Sequence, residues 1–409
     1  MGKKIALFGF FGWGNIGNTG TLQACLHHLR SRSPDAEIWC ICANPEEVAQ
    51  QFNIPVFPID LPPRRFWYRP TNWLLRLAHQ AFLRVPLEGW LWVKAFLFLQ
   101  SFDLLLIPGT GVLDDYGVGP FQTPYDLFKW CLVAKLSGVP LFFVSVGAGP
   151  IVHSLSRWFM KSALTLADYR TYRDQLSQRY MRSIGFQHKD NGVYPDLMFS
   201  LPLAADLHPT RHKSAIRVVG LGVMAYYGWN RPAAEGEEIY RTYLAKIGQF
   251  AAWLLEHGYV VRLLIGQSHD RRAVDDLKQY IQCKYDRAMS SQLIDEPINT
   301  IDDLFHQLNA TDMVVATRFH NVLCSLMLNK PVISLGYAQK NDVLMDEMGL
   351  TDYCQAIEEF TVECLITQFT ELATNVAQIG QRIATKNCEY RTALDQQYQL
   401  ILQDVQEQV

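Results

Sequence analysis

Residues 4–20 read KIALFGFFGWGNIGNTG, and this stretch decides the fold. It begins with a short apolar run, Lys4–Gly9, and continues through closely spaced glycines into a helical pattern that starts near Thr21. A buried strand, a glycine-rich turn and a helix in this order form the first half of a strand–helix–strand unit. The stretch therefore predicts an α/β protein with parallel strands.

The same alternation of apolar runs and helical patterns continues along most of the chain. Predicted strands in the first half are Lys4–Gly9, Glu37–Ile41, Leu104–Pro108, Leu141–Val146 and Tyr169–Tyr172. Predicted strands in the second half are Ile216–Val223, Tyr259–Ile265, Met313–Ala316 and Val332–Leu335. Helical patterns lie between them, so we expect two doubly wound, Rossmann-like α/β domains that face each other across a cleft.

Changes in composition suggest the domain boundaries. A polar stretch from His208 to Ser214 is interpreted as a linker between an N-terminal domain at 1–207 and a C-terminal domain at 215–359. The tail at 360–409 has a helical pattern and is expected to pack across the domains.

Composition excludes several classes of protein. The 409 residues are 49% hydrophobic and 19% charged, which supports two or three folded domains rather than disorder. The net charge of -3 argues against a general nucleic-acid binder. Nine cysteines without a CxxC pair argue against a disulfide scaffold or a zinc site, and favour a reducing, cytoplasmic location. The longest uncharged run, Leu136–Ser156, contains glycines and prolines typical of strands and loops rather than a membrane span.

The first glycine-rich loop permits several interpretations. Gly12, Gly14 and Gly17 match the dinucleotide fingerprint, but the second predicted strand runs into Cys42-Ala43-Asn44-Pro45, without the carboxylate that would hold a ribose. A phosphate- or substrate-facing loop that includes Asn15 and Asn18 is therefore favoured over nicotinamide or flavin binding. A purely structural turn is the remaining alternative.

Two further glycine loops follow predicted strands. Gly109 and Gly111 follow Leu104–Pro108, and Gly147 follows Leu141–Val146, so the three loops are expected at one edge of the sheet. Asp114 and the adjacent Asp115 are the nearest carboxylates that could act as a general base, although either could instead cap a helix.

Two arginines stand at the ends of predicted strands. Arg173 could hold a phosphate or carboxylate, or it could form a surface ion pair with Asp174, which would cap the next helix. Arg318 and His320 are two residues apart and would point to the same side of an extended backbone. A fixed cation beside an imidazole, with Lys340 after the next strand, suits an anionic substrate that must be protonated or deprotonated, so we favour a functional role for His320 over a structural one. The other histidines lack ligand-like spacing, and no metal site is predicted.

One segment, residues 62–100, does not fit the alternation. It carries six basic residues against one acid, Glu88, and four of the ten tryptophans. It could lie on a membrane interface. Alternatively, it could be an aromatic helical pair packed on the first domain with its arginines directed outward.

These motifs, in this order, resemble the polysaccharide pyruvyl transferase family. The resemblance runs from the first glycine loop to about Leu350 and is most specific at Arg318-Phe319-His320 and at the stretch from Lys330 to Lys340. The segments Val144–Pro150, Arg173–Ser177 and Tyr194–Asp196 also look like family elements. The family usually has Asp at the position of Asn18, so the resemblance carries no carboxylate role to that residue.

The resemblance implies a fold like the two-domain B-type glycosyltransferases and an activity that moves pyruvate from phosphoenolpyruvate to a sugar as a ketal. Arg173, Arg318 and His320 match the positions that the family uses for the donor. Lys340 is a further candidate cation for the donor, and His320 is the candidate acid. No cofactor is expected besides this donor substrate. The acceptor would be a sugar or a lipid-linked oligosaccharide, and a lipid-linked acceptor would place the protein at the inner face of the membrane.

Two other functions remain open. A nucleotide-sugar glycosyltransferase of the same architecture would direct Arg318 and Lys340 to a diphosphate. A non-catalytic subunit of a polysaccharide-assembly complex would explain Asn18 and the aromatic, basic segment. An oxidoreductase is a more distant alternative.

Overall fold

The computed structural model describes residues 2–60, 85–204, 207, 217–229, 231–284 and 292–407. The chain divides into two compact units. The first unit comprises residues 1–13, 18–201 and 393–409, and the second comprises 14–17 and 202–392. The expected linker and the part of the 62–100 segment up to residue 84 lie largely outside the described residues.

The first unit contains a six-stranded parallel sheet in the order β3-β2-β1-β4-β5-β6. Its strands are β1 (Lys4–Gly9), β2 (Glu37–Cys42), β3 (Val56–Pro58), β4 (Leu104–Pro108), β5 (Leu141–Val146) and β6 (Tyr169–Tyr172). Its helices are α1 (Ile16–Arg32), α2 (Pro45–Phe52), α3 (Val85–Leu99), α4 (Thr123–Leu136), α5 (Ser154–Leu166) and α6 (Gln175–Ser183), followed by a short 3-10 helix, Leu197–Ser200. Every residue of β4 and β5 is buried, which explains their continuous apolar sequence.

The second unit repeats this path in a second parallel sheet, in the order β12-β11-β10-β7-β8-β9. Its strands are β7 (Val218–Gly222), β8 (Val260–Leu264), β9 (Leu293–Ile294), β10 (Met313–Ala316), β11 (Val332–Gly336) and β12 (Cys354–Ala356). Its helices are α7 (Ala233–Glu256), α8 (Arg271–Lys284), α9 (Ile301–Asn309), α10 (Phe319–Met327), α11 (Gln339–Glu347) and α12 (Val362–Thr374).

The strand order shows where ligands are expected in each unit. In both sheets, the first strand of the unit lies between its second and fourth strands, which is the Rossmann arrangement. The connection from β1 leads to β2 on one side, and the later connection leads to β4 on the other side of β1. A crevice therefore opens between the carboxyl ends of β1 and β4, and in the second unit between those of β7 and β10. The prediction of two doubly wound α/β domains is confirmed.

The C-terminal segment is helical. Helix α12 packs against α7, and a long helix, α13 (Val376–Glu407), follows it. Residues of α13 up to 392 belong to the second unit, and those from 393 onward belong to the first. Among the described residues, no helix is both long enough and apolar enough to cross a bilayer.

Two predicted helix starts are wrong in ways that affect the site. The first helix is predicted from near Thr21, but α1 begins at Ile16, so Gly17 and Asn18 lie in its first turn.

The apolar pattern at residues 322–328 predicts a helix that starts at Val322, but α10 begins at Phe319, with Arg318 at its N-cap. His320 therefore lies in the first turn of α10 and not on extended backbone, and the prediction that Arg318 and His320 point to one side of an extended strand is wrong.

Candidate functional site

A buried arginine stands at the carboxyl end of β10. Arg318 donates from Nε to Oδ2 of Asp270 at 2.8 Å and from Nη2 to Oδ1 at 2.6 Å. The Asp270 side chain is fully buried, and the Arg318 side chain is only 10% exposed. The two parallel bonds fix the plane of the guanidinium as well as its position.

Asp270 is itself held by backbone groups at the ends of two other strands. After β7, the N–H of Ala225 donates to Oδ1 at 3.1 Å, and after β8, the N–H of Gln267 donates to Oδ2 at 3.1 Å. The carboxylate therefore connects the segments that follow β7, β8 and β10. Within the described chain, Nη1 is the one guanidinium nitrogen of Arg318 without a hydrogen-bond partner, so it can bind an anion.

His269 completes the surroundings of this arginine. Nη2 of Arg318 lies 2.7 Å from Nε2 of His269. Because an arginine can only donate, Nε2 must accept, which requires a neutral ring protonated on Nδ1. Burial lowers the pKa of His269, and the charge of Arg318 lowers it further against the opposing effect of Asp270. Both effects favour the neutral ring.

The sequence reasoning missed His269 and Asp270. Their signal is a polar run, Gly266–Asp270, directly after the predicted strand Tyr259–Ile265. A carboxylate at the carboxyl end of a buried strand could have suggested a site. Its pairing with Arg318, 48 residues away, depends on the strand order and is not visible in local spacing.

His320 lies against the first glycine loop. Residues 14–17 pack with the second unit, and a Cβ added at Gly17 would overlap the imidazole ring of His320. Asn15 fixes the conformation of the loop at this contact. Its Oδ1 accepts the N–H of Gly17 at 3.1 Å, and its backbone pairs with that of Gln267. The glycine at position 17 is therefore required by the histidine ring.

The other glycines of this loop also have protein neighbours. A Cβ at Gly12 would lie 2.6 Å from Cβ of Asn44, and one at Gly14 would lie 3.3 Å from Oγ of Ser268. Both glycines have positive φ, which L side chains rarely adopt. Asn18, in the first turn of α1, is half-buried.

Lys340 belongs to the same unit as Arg318 and His320. It lies in the first turn of α11, with Nζ 5.0 Å from the ring centre of Tyr337 and 5.4 Å from that of Phe319. Such cation–π contacts hold the ammonium beside the start of α10, since Phe319 directly precedes His320.

In the first unit, Arg173 follows β6 and is buried between two carboxylates. Its Nε lies 3.3 Å from Oδ2 of Asp174, and its Nη1 lies 3.4 Å from Oδ2 of Asp196. Burial raises the pKa of Asp196 against the opposing charge of Arg173. Burial lowers the pKa of Arg173, but Asp174 and Asp196 more than offset this, and the net shift is upward.

These contacts settle part of the interpretation of Arg173. The ion pair with Asp174 exists but is buried rather than on the surface. Asp174 also accepts the N–H of Ser177 at 2.6 Å, so its expected role as a helix cap is confirmed. The guanidinium covers Gly147, where a Cβ would lie 2.6 Å from Nη2 of Arg173.

The two later glycine loops are hydrogen-bonded to each other. The N–H of Gly147 donates to the Thr110 carbonyl at 2.8 Å, and the Leu113 N–H donates to the Gly147 carbonyl at 3.2 Å. Gly109 is required because a Cβ there would overlap the Ser145 carbonyl, and one at Gly111 would lie 3.2 Å from Oδ2 of Asp114. The structure therefore brings both loops and Arg173 to one edge of the first sheet.

The two aspartates after Gly111 differ in environment. Asp115 is buried and accepts the N–H groups of Val152 and His153 at 2.7 and 2.9 Å, so it fastens the loop that follows β5. Asp114 is half-buried and accepts the N–H of Tyr116 at 3.2 Å. The alternative that either caps a helix is wrong, because α4 begins only at Thr123.

The sequence model for polysaccharide pyruvyl transferases matches residues 15–339. This chain belongs to the polysaccharide pyruvyl transferase family. The matched range includes Arg173, His269, Asp270, Arg318 and His320 and ends one residue before Lys340. The resemblance seen in the sequence is thereby confirmed. No curated protein gives a significant match to the chain.

Solved structures of low sequence identity share the fold of this family member. The Neisseria meningitidis UDP-GlcNAc 2-epimerase bound to UDP-GlcNAc is 10% identical, with a TM-score of 0.60 over 99% of this chain and 100% of that one. Anabaena Alr3699/HepE in complex with UDP is 13% identical, with a TM-score of 0.60 over the same shares. A glycosyltransferase from Rickettsia africae is 11% identical, with a TM-score of 0.58 over 99% of this chain and 98% of that one. The B-type glycosyltransferase fold is therefore shown.

Proposed function

We propose that this protein transfers pyruvate from phosphoenolpyruvate to two hydroxyls of one sugar, forming a ketal in a cell-surface glycan or its precursor. Membership of the family supports this activity. The structural observation that carries it is the clamped guanidinium of Arg318, whose Nη1 is available for an anion beside the first turn of α10. Helix N-termini also favour anions, because their first N–H groups lack intrahelical acceptors.

The proposed roles follow from the chemistry of the donor. Phosphoenolpyruvate carries a phosphate and a carboxylate, and Arg318 and Lys340 supply cations for it in the second unit. Arg173 is the corresponding candidate in the first unit. There, the glycine loops at Gly109, Gly111 and Gly147 would face the acceptor. The half-buried Asp114 is the candidate base of the first unit.

His320 is the proposed acid. It would donate a proton to the methylene carbon of phosphoenolpyruvate, which makes the neighbouring carbon electrophilic. A first sugar hydroxyl adds to that carbon, and its proton restores the acid. A second hydroxyl of the same sugar then displaces phosphate and loses its own proton. The products are the cyclic ketal and inorganic phosphate.

The first test is ligand-dependent thermal unfolding with phosphoenolpyruvate, UDP, GDP and NAD. A ligand present at 100 times its Kd stabilises the native state by about 2.7 kcal/mol. We expect stabilisation by phosphoenolpyruvate and its loss in Arg318→Lys, since an ammonium cannot reproduce the forked contact. Lysine is preferable to alanine here, because removing one partner of a buried ion pair costs about 3–5 kcal/mol. Stabilisation by a nucleotide instead would support the glycosyltransferase alternative.

The second test is phosphate release from phosphoenolpyruvate in the presence of p-nitrophenyl glycosides that differ in hydroxyl configuration. His320→Gln should keep most of the donor binding and release phosphate at least about a hundredfold more slowly, in line with the loss of a general acid. Near-wild-type release by this variant would refute the role of His320. Donor binding without release for any glycoside would favour a non-catalytic subunit.

A further inference from the structure

Three helices of the first unit form one layer on the sheet. Helices α3, α4 and α5 connect β3 to β4, β4 to β5 and β5 to β6, and all three connections advance in the same direction along the sheet. Right-handed crossovers that advance in one direction lie on one face. Helix α4 packs against both α3 and α5, and Nε1 of Trp92 donates to the Tyr125 hydroxyl at 2.9 Å.

The outer side of this layer exposes an unusual amount of apolar surface. Of the twelve large hydrophobic side chains that are well exposed in the described chain, ten lie between residues 85 and 158. They are Val85, Trp90, Val93, Leu97, Tyr116, Phe121, Leu136, Val152, Leu155 and Trp158. Isolated exposed hydrophobic residues are common, but a concentration of this kind marks a binding surface. We call the outward side chains of α3, α4 and α5 and of the loops that precede α4 and α5 the α3–α5 surface.

Aromatic contacts show that the α4 and α5 parts of this surface are continuous. The ring centres of Phe128 and Trp158 are 5.2 Å apart, and those of Phe121 and Phe159 are 6.1 Å apart. On α3, Nζ of Lys94 lies 3.9 Å from the ring centre of Trp90. A cation held over an exposed tryptophan is the arrangement found where a protein meets a polar–apolar boundary.

In the three helices, the acidic side chains face inward and most of the basic side chains face outward. The three helices carry five basic residues, Lys94, Lys129, Lys135, Arg157 and Lys161, against two acids, Glu88 and Asp126. Both acids turn inward to Lys129, whose side chain is 1% exposed, with O–Nζ distances of 3.1 and 3.8 Å. The charges of the helices that remain toward solvent are therefore all positive, and one of them, Lys135, is paired with Asp168.

We propose that the α3–α5 surface docks on an anionic lipid bilayer. Tryptophans and aliphatic side chains enter the interfacial region, while Lys94 and Arg157 remain at the level of anionic headgroups. A second copy of the chain fits this surface less well, because a two-fold symmetric contact would place one positively charged surface against another.

Docking in this way would orient the first unit on the membrane. Helices that follow parallel strands begin at the carboxyl ends of those strands, so Phe121, Val152 and Trp158 lie near the edge of the sheet that holds the Gly109 and Gly147 loops. That edge would approach the bilayer surface, where a lipid-carried substrate would be presented.

Vesicle flotation of the full chain tests the proposal, with phosphatidylcholine vesicles that contain or lack phosphatidylglycerol. We expect binding that requires phosphatidylglycerol and weakens as salt rises. The double variant Trp90→Ser/Trp158→Ser should lower the partition coefficient at least about tenfold. Lys94→Glu/Arg157→Glu should abolish the preference for the anionic lipid. Leu400→Ser, which removes a well-exposed leucine on α13, is the matched control and should bind as the wild type does.

Several outcomes would overturn the proposal. These are absence of flotation, equal binding to both kinds of vesicle, or unchanged binding in both double variants while their circular dichroism and Tm match the wild type. A further contrary outcome would come from light scattering. If the wild type is a dimer and either double variant is a monomer, the α3–α5 surface serves self-association instead. The assay contains neither donor nor acceptor, so its result is independent of the proposed pyruvyl transfer.

Discussion

At the scale of single residues, Gly17 has the clearest consequence for function. A methyl group there would overlap the imidazole of His320. Gly17 lies in the first turn of α1, where alanine would ordinarily be favoured over glycine by about 0.5–1 kcal/mol. Gly17→Ala is therefore expected to leave the fold intact and to lower phosphate release roughly a hundredfold, because the ring must move.

Gly119→Ala is the matched control for this prediction. Gly119 has open space where a Cβ would stand, and it is not among the residues with positive φ. It should retain wild-type Tm and turnover. Wild-type turnover in Gly17→Ala would show that the ring position is not limiting.

His269 predicts a pH dependence of stability. Its pKa in the folded protein is lowered by burial and by Arg318, and about 6.5 is expected in the unfolded chain. The unfolded chain therefore takes up a proton first as the pH falls. The contribution of His269 to the free energy of unfolding is complete above about pH 6.5 and is lost as the pH falls toward the lowered value. Urea unfolding at pH 7.5 and at pH 5 should show a larger decrease in the free energy of unfolding for the wild type than for His269→Gln. Equal decreases would contradict a lowered pKa of His269 in the folded protein.

The residues of this site differ in how visible they are in the sequence. Arg318, His320 and Lys340 stand out because they follow predicted strands. Asp270 and His269 could not be assigned to Arg318, because their contact requires that β8 and β10 both flank β7. The steric role of Gly17 was likewise hidden, since a glycine in such a loop is compatible with a ligand, a turn or a neighbouring side chain.

At the scale of elements, the C-terminal helix α13 supplies a buried polar group to the first sheet. Oε1 of Gln397 accepts the Ser145 hydroxyl at 2.9 Å, and its Nε2 donates to the Thr171 hydroxyl oxygen at 2.8 Å. All three side chains are fully buried.

Gln397→Ala should lower the free energy of unfolding by about 1–3 kcal/mol, because it removes one hydrogen-bond partner from each of two buried hydroxyls. Gln399→Ala, an exposed position on the same helix, should change it by less than about 0.5 kcal/mol. Denaturant titration of the two variants measures these changes. Equal changes in the free energy of unfolding would argue against the buried hydrogen-bond network of Gln397.

The long, buried elements were predictable and the short ones were not. Strands such as Lys4–Gly9 and Leu141–Val146 have the predicted bounds, because continuous apolar runs flanked by glycine are distinctive. Edge strands β3, β9 and β12 have only two or three residues, too few for a pattern. The start of α10 was missed because arginine is not a preferred N-cap residue.

At the scale of the whole molecule, the two units share one strand order, and this predicts where the backbone is most protected. Central strands β1 and β4 in the first unit, and β7 and β10 in the second, pair on both sides, whereas β3, β9 and β12 are short edges. Hydrogen–deuterium exchange followed by mass spectrometry should show the slowest exchange in the four central strands and fast exchange at those edges. Fast exchange throughout one sheet would contradict the fold of that unit.

The path of α13 has a consequence for synthesis on the ribosome. Domains usually fold in the order in which they emerge, the N-terminal one first. Here the first unit needs Leu394, Gln397, Tyr398 and Ile401, all of them buried, from the end of the chain. The part of the protein that is translated first is therefore completed late, and until residues 394–401 leave the ribosome the nascent first unit exposes apolar side chains that a chaperone would recognise.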